Sequence, residues 1–180
     1  MARLIVLNGP PGVGKSTVAT RYGAEHPGTL VCDVDLLRTF IGGWEADYSG
    51  AGARIRPAAL AMIEAYLRHS GDVVLPQLLA REEELDKFVG AGTGAGAEVV
   101  EVLLTADVEV CVRRFVARDL ASPHARASRA TVEAAGGDGV VREYHSALHA
   151  LVARRPWIHV VEAREGEADG TYAAVLAAVT

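Results

Sequence analysis

The residues from Gly9 to Thr17 have the types and the spacing of a phosphate-binding loop. They read Gly9-Pro10-Pro11-Gly12-Val13-Gly14-Lys15-Ser16-Thr17, which fits the pattern G-x-x-x-x-G-K-[ST] at every defined position. Glycines let backbone N–H groups turn toward a phosphate at the start of a helix, where the helix dipole favours an anion. Lys15 would reach the β- and γ-phosphates, and the Ser16 hydroxyl would ligate Mg²⁺. The loop therefore predicts a site for a nucleoside triphosphate and Mg²⁺.

The segments on either side of the loop agree with this interpretation. Leu4 to Leu7 is a short apolar run that is typical of a buried parallel strand, and Ser16 to Glu25 has the composition of a helix. A strand, a glycine-rich loop and a helix in this order are the structural context that the motif requires.

Asp33 and Asp35 form a second candidate group, directly after a predicted strand at residues 29–32. A carboxylate that faces the γ-phosphate can accept the proton of an attacking hydroxyl and orient it for transfer. If the strand continued to Asp35, the alternation of side chains would send only one of the two into the site. Asp35 could instead cap a helix that begins at Leu36. Arg38, one helical turn beyond Asp35, could steady that carboxylate or hold an anionic substrate.

The remaining pattern alternates strands and helices along 180 residues, which predicts one domain of the α/β class. Three further strands are predicted at residues 72–76, 99–104 and 157–161. Helices are predicted at residues 36–41, 58–69, 80–89, 108–120, 140–153 and 171–179, with Pro57 in a first turn and Asp107 as a cap. Residues 42–52 are predicted to form a mobile loop, residues 90–96 a glycine-rich linker and residues 121–139 a polar loop. The result is a five-stranded parallel sheet with helices on both faces.

The phosphate loop followed by a strand that ends in D-x-D-x-x-R (Asp33, Asp35 and Arg38) resembles the P-loop kinase group of the P-loop NTPases. That group includes chloramphenicol phosphotransferase and the 5′-polynucleotide kinases. The resemblance implies the sheet order 2-3-1-4-5, Asp35 as the general base and Arg38 as a substrate contact. It also implies a small lid at about residues 118–139, whose arginines reach ATP. The candidates are Arg114 and Arg118 on the preceding helix, and Arg126 and Arg129 beyond it, with Arg126 in a catalytic role.

The acceptor pocket is expected between residues 42–56 and the end of the third strand. Trp44, Tyr48 and Arg54 belong to the first segment, and Gln77 follows the strand. The two aromatic rings could stack on an acceptor or simply anchor the segment to the core. No carboxylate follows the third strand. Mg²⁺ is therefore expected to be bound by Ser16, nucleotide oxygens and water, and Asp33 or Asp35 is expected to support these ligands without binding the metal directly.

Composition narrows the class of partner. Half of the residues are hydrophobic, as in a globular protein. The formal net charge is −5, which argues against a nucleic-acid partner held through its phosphates. The N-terminus has no signal-peptide pattern and no apolar run is long enough for a membrane span, so a cytoplasmic location is expected. No N-K-x-D guanine signature occurs, which favours ATP over GTP.

Together these features predict an ATP-dependent phosphotransferase that acts on a hydroxyl of a small molecule, such as an antibiotic, a nucleoside or a related metabolite. A 5′-hydroxyl polynucleotide or nucleotide kinase and a nucleotide-dependent switch ATPase remain as alternatives.

Overall fold

Five parallel strands form one sheet in the computed structural model, which describes residues 1–180. The strands are β1 (Arg3–Asn8), β2 (Leu30–Val31), β3 (Val73–Pro76), β4 (Glu98–Thr105) and β5 (His159–Glu162). Their order across the sheet is β2-β3-β1-β4-β5, as the resemblance implied. β1 lies in the centre, where Ile5 pairs with Val74 of β3 on one side and with Val100 of β4 on the other.

Eight helices cover the two faces of the sheet. They are α1 (Lys15–Glu25), α2 (Val34–Leu37), α3 (Tyr48–His69), α4 (Glu82–Gly94), α5 (Val108–Val116), α6 (Pro123–Ala135), α7 (Asp138–Arg154) and α8 (Ala168–Val179). Alternate residues of β1 point into different cores, because successive side chains of a strand face opposite sides. Ile5 and Leu7 pack with residues of α1, α5 and α8. Leu4 and Val6 pack with residues of α3 and α4. The predicted α/β fold is confirmed.

Asn8 joins the carboxyl ends of the two central strands. Its side-chain amide donates to Leu79 O at 2.9 Å, while its Oδ1 accepts from Leu79 N at 2.9 Å and from Gly9 N at 2.8 Å. These bonds fix the start of the phosphate loop against the segment that follows β3. These contacts lie at the edge of the sheet where ligands of open parallel sheets bind.

The chain after β2 differs from the sequence prediction. The strand stops at Val31, and Asp33 is the N-cap of α2, accepting from Asp35 N at 3.0 Å and Leu36 N at 3.3 Å. A 3₁₀ turn, Arg38–Phe40, follows directly. Because Asp35 lies in the helix rather than in a strand, the alternation argument that would separate the two carboxylates does not apply. The cap of α2 is Asp33, so the alternative in which Asp35 caps a helix at Leu36 does not hold.

The segment predicted to be a mobile loop at residues 42–52 is only partly a loop. α3 begins at Tyr48, ten residues before the predicted start, and contains Pro57 in its interior. Asp47 caps it by accepting from Gly50 N at 2.9 Å. Ala51 is fully buried, so the first turns of the helix pack against the protein and do not project into solvent.

Two other segments predicted without structure are helical. α4 continues past Gly90 to Gly94, which shortens the predicted linker to a turn. α6 occupies most of residues 121–139. Ser122 is its N-cap and accepts from Ala125 N at 3.1 Å, Pro123 stands in its first turn, and Gly136 follows it with a φ of 128°. The proline and the glycine that suggested a loop are the start and stop signals of this helix. α5, in turn, ends at Val116 rather than at residue 120.

Candidate active site

Residues 9–14 form an open loop between β1 and α1. Gly12 and Gly14 have φ angles of 82° and 106°, a conformation that side chains rarely adopt, and Gly14 stands at the N-cap of α1. No side chain caps α1, so the N–H groups of its first turn are free to face an anion. Within the predicted set Gly9, Pro10, Pro11, Gly12, Val13, Gly14, Lys15, Ser16 and Thr17, Val13 is buried and anchors the loop, whereas Ser16 and Thr17 are exposed.

The loop rests directly on the backbone of α5. A Cβ atom at Gly12 would lie 2.4 Å from Cys111 O and 3.4 Å from the Cβ atom of Arg114. A Cβ atom at Gly9 would lie 2.5 Å from Leu104 O at the end of β4. Only glycine fits these two positions, because the obstacles are backbone atoms that cannot turn away. The shape of the loop thus depends on β4 and α5 as well as on its own sequence.

Lys15 lies across the loop with its ammonium group bonded to the loop itself. Nζ donates to Gly9 O at 2.8 Å and to Pro10 O at 3.0 Å. Burial lowers the pKa of Lys15 to about 8, and the charges of Asp35 and then Asp33 act in the opposite direction. A phosphate can replace the two carbonyls that bind the ammonium group, and the two carboxylates favour its charged form. Lys15 therefore fits the phosphate-binding role that the motif predicts.

Ser16 and Asp33 lie side by side at the start of α1. Ser16 Oγ donates to Asp33 Oδ2 at 3.3 Å. Burial raises the pKa of Asp33, and the charge of Asp35 raises it further. No group of three histidine, cysteine, aspartate or glutamate side chains is arranged to hold a metal ion. The Ser16 hydroxyl, supported by the Asp33 carboxylate, fits Mg²⁺. This ion keeps several waters and is usually bound through few protein groups together with substrate phosphates.

Asp35 is held by Arg38. Arg38 Nη2 donates to Asp35 Oδ1 at 2.7 Å, and Arg38 Nη1 donates to Tyr48 O at 3.2 Å. The guanidinium group is buried and its carbon lies 3.8 Å from the centre of the Tyr48 ring. A Cβ atom at Gly52 would lie 2.8 Å from Arg38 Nη2, so the glycine makes room for this group. The contact between Arg38 and Asp35 is the one that the first of the two roles left open for Arg38 requires, and its role as a substrate contact stays a prediction.

The remaining predicted acceptor residues are not equally placed. Trp44 is half-buried and its ring lies 6.4 Å from the ring of Tyr48. Arg54 pairs on the surface with Asp47 at 2.8 Å, so its guanidinium group steadies the start of α3. Gln77 is buried after β3 and its Oε1 has no hydrogen-bond partner within the protein.

Arg114 and Arg118 lie beside the phosphate loop at the end of α5. The Cβ atom of Arg114 lies 3.4 Å from the position that a Cβ atom at Gly12 would take, so the stem of Arg114 lies next to the loop. Arg118 is exposed, and its charge contributes to lowering the pKa of Lys15. A contact of these two arginines with ATP stays a prediction.

Arg126 and Arg129 have structural partners instead. Arg126 Nη1 donates to Leu120 O and Ala121 O, each at 2.9 Å, and so joins α6 to the end of the preceding segment. Arg129 lies over the Phe115 ring at 5.9 Å from its centre and donates to the α5 carbonyl of residue 116 at 2.7 Å. The catalytic role assigned to Arg126 stays a prediction, and in this structure its side chain contacts the chain between α5 and α6.

His124 is a residue of this site that the sequence analysis did not find. It stands in the first turn of α6, half-buried, with Nδ1 3.4 Å from Tyr48 Oη. Burial lowers the pKa of His124, and the charge of Asp35 acts in the opposite direction. The signal that would have located it is the pair Ser122-Pro123, an N-cap followed by a first-turn proline, which marks the start of α6.

The fold and the loop define the class of the protein: it has the architecture of the P-loop kinase group. Residues 4–136 match the family described as an AAA domain, and the chain belongs to that family. The resemblance noted from the motifs is therefore confirmed at the level of the group.

Solved structures of two other proteins have the same fold over nearly the whole chain. A tunicamycin resistance protein from Deinococcus radiodurans is 17% identical, with a TM-score of 0.63, over 98% of this chain and 95% of that one. A gluconokinase from Sinorhizobium meliloti 1021 is 17% identical, with a TM-score of 0.65, over 99% of this chain and 92% of that one. A structure of a Pnkp1/Rnl/Hen1 complex is 24% identical, with a TM-score of 0.56, but the match covers 63% of this chain and 38% of that one.

At these identities the likeness establishes the fold, not the substrate. No curated protein matches the sequence significantly. None of the helices combines the length and the apolar character that crossing a membrane would take.

Proposed function

We propose that the protein is an ATP-dependent phosphotransferase that moves the γ-phosphate of ATP to a hydroxyl group of a small molecule, with Asp35 as the general base. The observation that carries this proposal is the position of Asp35. Among the charged groups, its carboxylate acts most strongly on the pKa of Lys15 in the phosphate loop, opposing the effect of burial, and Arg38 holds it at 2.7 Å. A carboxylate fixed opposite the phosphate-binding lysine is where a hydroxyl acceptor would lose its proton.

Asp35 suits the role of base better than Asp33 does. Asp33 accepts from Ser16 Oγ and from two backbone N–H groups of α2, so its oxygens are already occupied. Asp35 accepts from one partner, Arg38, and its side chain is about one-third exposed. It therefore has an oxygen available to an incoming hydroxyl. Asp33 is the carboxylate beside Ser16. These two residues would hold Mg²⁺, which would supply positive charge to neutralise the transferred phosphoryl group.

The acceptor would occupy the space bounded by Asp35, the start of α3 and the end of β3. Tyr48 and Trp44 offer aromatic surface there, and Gln77 offers an unpaired polar atom. The gluconokinase and the tunicamycin resistance protein are named for two different kinds of compound, which is consistent with one fold serving different acceptors. We therefore infer a small acceptor that combines hydroxyl groups with a flat or ring-shaped part.

A polynucleotide acceptor is less well supported. The net charge of the chain is −5, and Arg38, the residue expected to hold such a substrate, is buried and bonded to Asp35 and Tyr48. A protein that tracks a nucleic-acid strand normally offers a positively charged groove for its phosphates.

The test combines an acceptor screen with a substitution. The protein is incubated with Mg²⁺-ATP and a panel of sugars, nucleosides, antibiotics and a 5′-hydroxyl oligonucleotide, and products are identified by the mass of one added phosphoryl group. With the acceptor found, Asp35→Asn should lower transfer by about a hundredfold or more, the usual scale of general-base catalysis, and change ATP affinity far less than that.

The matched control is Asp169→Asn, which removes a carboxylate that is almost fully exposed and far along the chain. This control should transfer phosphate at the rate of the wild type. Transfer by Asp35→Asn at the wild-type rate would refute the assignment of the base. ATP loss with no modified acceptor would point to a switch ATPase instead, and a modified oligonucleotide would point to an end kinase.

A further inference from the structure

Three residues connect the proposed base to the lid helix. Asp35 is bonded to Arg38 at 2.7 Å, Arg38 stacks on the ring of Tyr48 at 3.8 Å, and Tyr48 Oη lies 3.4 Å from His124 Nδ1. These contacts run from α2 through the first turn of α3 to the first turn of α6. Each is a contact of side chains that are buried or half-buried.

The contact between α3 and α6 is a specific one. The Tyr48 and His124 rings lie 5.9 Å apart at an angle of 33°, and Ser128, one turn further along α6, faces the same hydroxyl. Burial raises the pKa of Tyr48 to about 12 and lowers that of His124. At neutral pH the phenol therefore keeps its proton and the imidazole is uncharged, so the hydroxyl can donate to Nδ1.

We infer that His124 and Tyr48 form a latch that lets the lid helix α6 set the orientation of the Asp35 carboxylate. His124 is a positioning residue in this inference, because it acts on Asp35 only through Tyr48 and Arg38. The inference rests on the proposed role of Asp35. It assigns to α6 a function beyond the covering of the nucleotide that the resemblance implies. When α6 is docked the base is oriented, and when α6 moves away the Tyr48 ring loses the contact that fixes it over Arg38.

Arg38 depends on the Tyr48 ring because its own hydrogen bonds are incomplete. Its Nε atom is buried and has no hydrogen-bond partner, while its two terminal nitrogens bond to Asp35 and to the Tyr48 carbonyl. The position of the guanidinium group therefore depends on where Tyr48 stands. The ring of Tyr48 is in turn fixed from the outside by α6, and a displacement of about 1 Å at a reacting group can cost a hundredfold in rate.

The test uses His124→Phe, which keeps a ring of similar size but removes the nitrogen, and His124→Asn, whose amide can replace Nδ1. The control is His69→Ala, at the exposed end of α3. Hydrogen exchange of the full-length protein is followed at residues 34–41 and 123–131. In His124→Phe we expect exchange to become about tenfold faster in both segments, since loss of the contact loosens α6 directly and α2 through Tyr48 and Arg38.

The second measurement is the steady-state kinetics of phosphate transfer from ATP to the acceptor. His124→Phe should lower kcat for transfer about ten- to hundredfold, and change KM for ATP less than twofold. His124→Asn should recover most of the rate, which a merely structural residue would not show. Tyr48→Phe, which deletes only the hydroxyl, repeats the test if His124→Phe fails to fold.

Unchanged exchange at residues 34–41 in the presence of faster exchange at residues 123–131 would overturn the latch, because α6 would then move without affecting α2. If the wild type phosphorylates no acceptor, the proposed function fails, and the exchange experiment still decides whether the two helices are coupled.

Discussion

Lys15 carries the clearest consequence of burial at the scale of a single residue. Because its pKa is lowered to about 8, more than half of the free protein has an uncharged lysine above that pH. A triphosphate binds the charged form, so the Kd for ATP should rise with pH above 8, by up to about tenfold per pH unit. Calorimetry between pH 7 and pH 9.5 measures this, together with the proton taken up on binding.

The two lysines of the chain provide the control for this prediction. Lys15→Ala should bind ATP weakly and lose the pH dependence. Lys87→Ala, on the exposed face of α4 beside Glu84, should behave as the wild type does. An ATP affinity that stays constant across this pH range in the wild type would show that the lysine remains charged.

Asp33 has two tasks that substitutions can separate. Asp33→Asn keeps an oxygen that can cap α2 but removes the charge beside Ser16, whereas Asp33→Ala removes both. Both variants should need about tenfold more Mg²⁺ for half-maximal ATP turnover, the usual effect of losing a group behind a metal ligand. Only Asp33→Ala should lose roughly 1 kcal/mol of stability from the cap. Mg²⁺ titration and urea unfolding measure the two effects, and equal Mg²⁺ requirements in all three proteins would exclude a role near the metal.

At the scale of the element, α4 shows how glycines in a helix can differ. Gly90 and Gly92 are both helical, but a Cβ atom at Gly90 meets nothing within 4 Å, whereas one at Gly92 lies 2.7 Å from Val99 and 2.9 Å from Leu4. Gly90→Ala should therefore stabilise the protein by about 0.5–1 kcal/mol, because it lowers the entropy of the unfolded chain.

Gly92→Ala should destabilise it, by about 1–3 kcal/mol, because the added methyl group overpacks the contact with β1 and β4. Thermal unfolding of the two variants measures the difference. If both substitutions raised Tm, the helix would not pack as closely on the sheet as described. If both lowered it, the segment would not be helical beyond Gly90, as the sequence alone suggested.

At the scale of the whole molecule, Arg155 connects the end of α7 with α4 and β4. Its guanidinium group bonds to Glu82 and Glu101 at 3.1 and 3.0 Å and also to Asp86. Glu101 is itself buried and accepts from the Trp157 indole at 2.8 Å. Removal of one partner of a buried pair leaves the other charge without compensation, which is more costly than the pair is favourable.

Arg155→Met should lower the free energy of unfolding by roughly 3 kcal/mol and leave ATP affinity unchanged, since none of these residues contacts the phosphate loop. Arg113→Met breaks an exposed pair with Glu165 and should cost less than about 1 kcal/mol. Urea unfolding of the two variants makes the comparison. Equal losses in the two variants would mean that Glu101 finds water or another partner when Arg155 is absent.

The sequence by itself determined the features that local patterns encode. The phosphate loop is readable because its glycines, lysine and serine are adjacent in the chain, and the parallel sheet is readable because apolar runs alternate with helical segments. Helix boundaries were less certain where proline and glycine occur, because both residues end helices in one position and are tolerated in another. Pro57 lies inside α3 and Pro123 begins α6.

Only the tertiary structure decided which side chains meet. Asp33 caps α2 and faces Ser16, Arg38 is used to hold Asp35, and His124 reaches Tyr48 although 76 positions separate them in the chain. Such contacts leave no periodic trace in the sequence, since they depend on how α3 and α6 pack together at the edge of the sheet. The chemistry of the loop is therefore determined by residues that are adjacent in the sequence, whereas the orientation of the proposed base depends on how the whole chain folds.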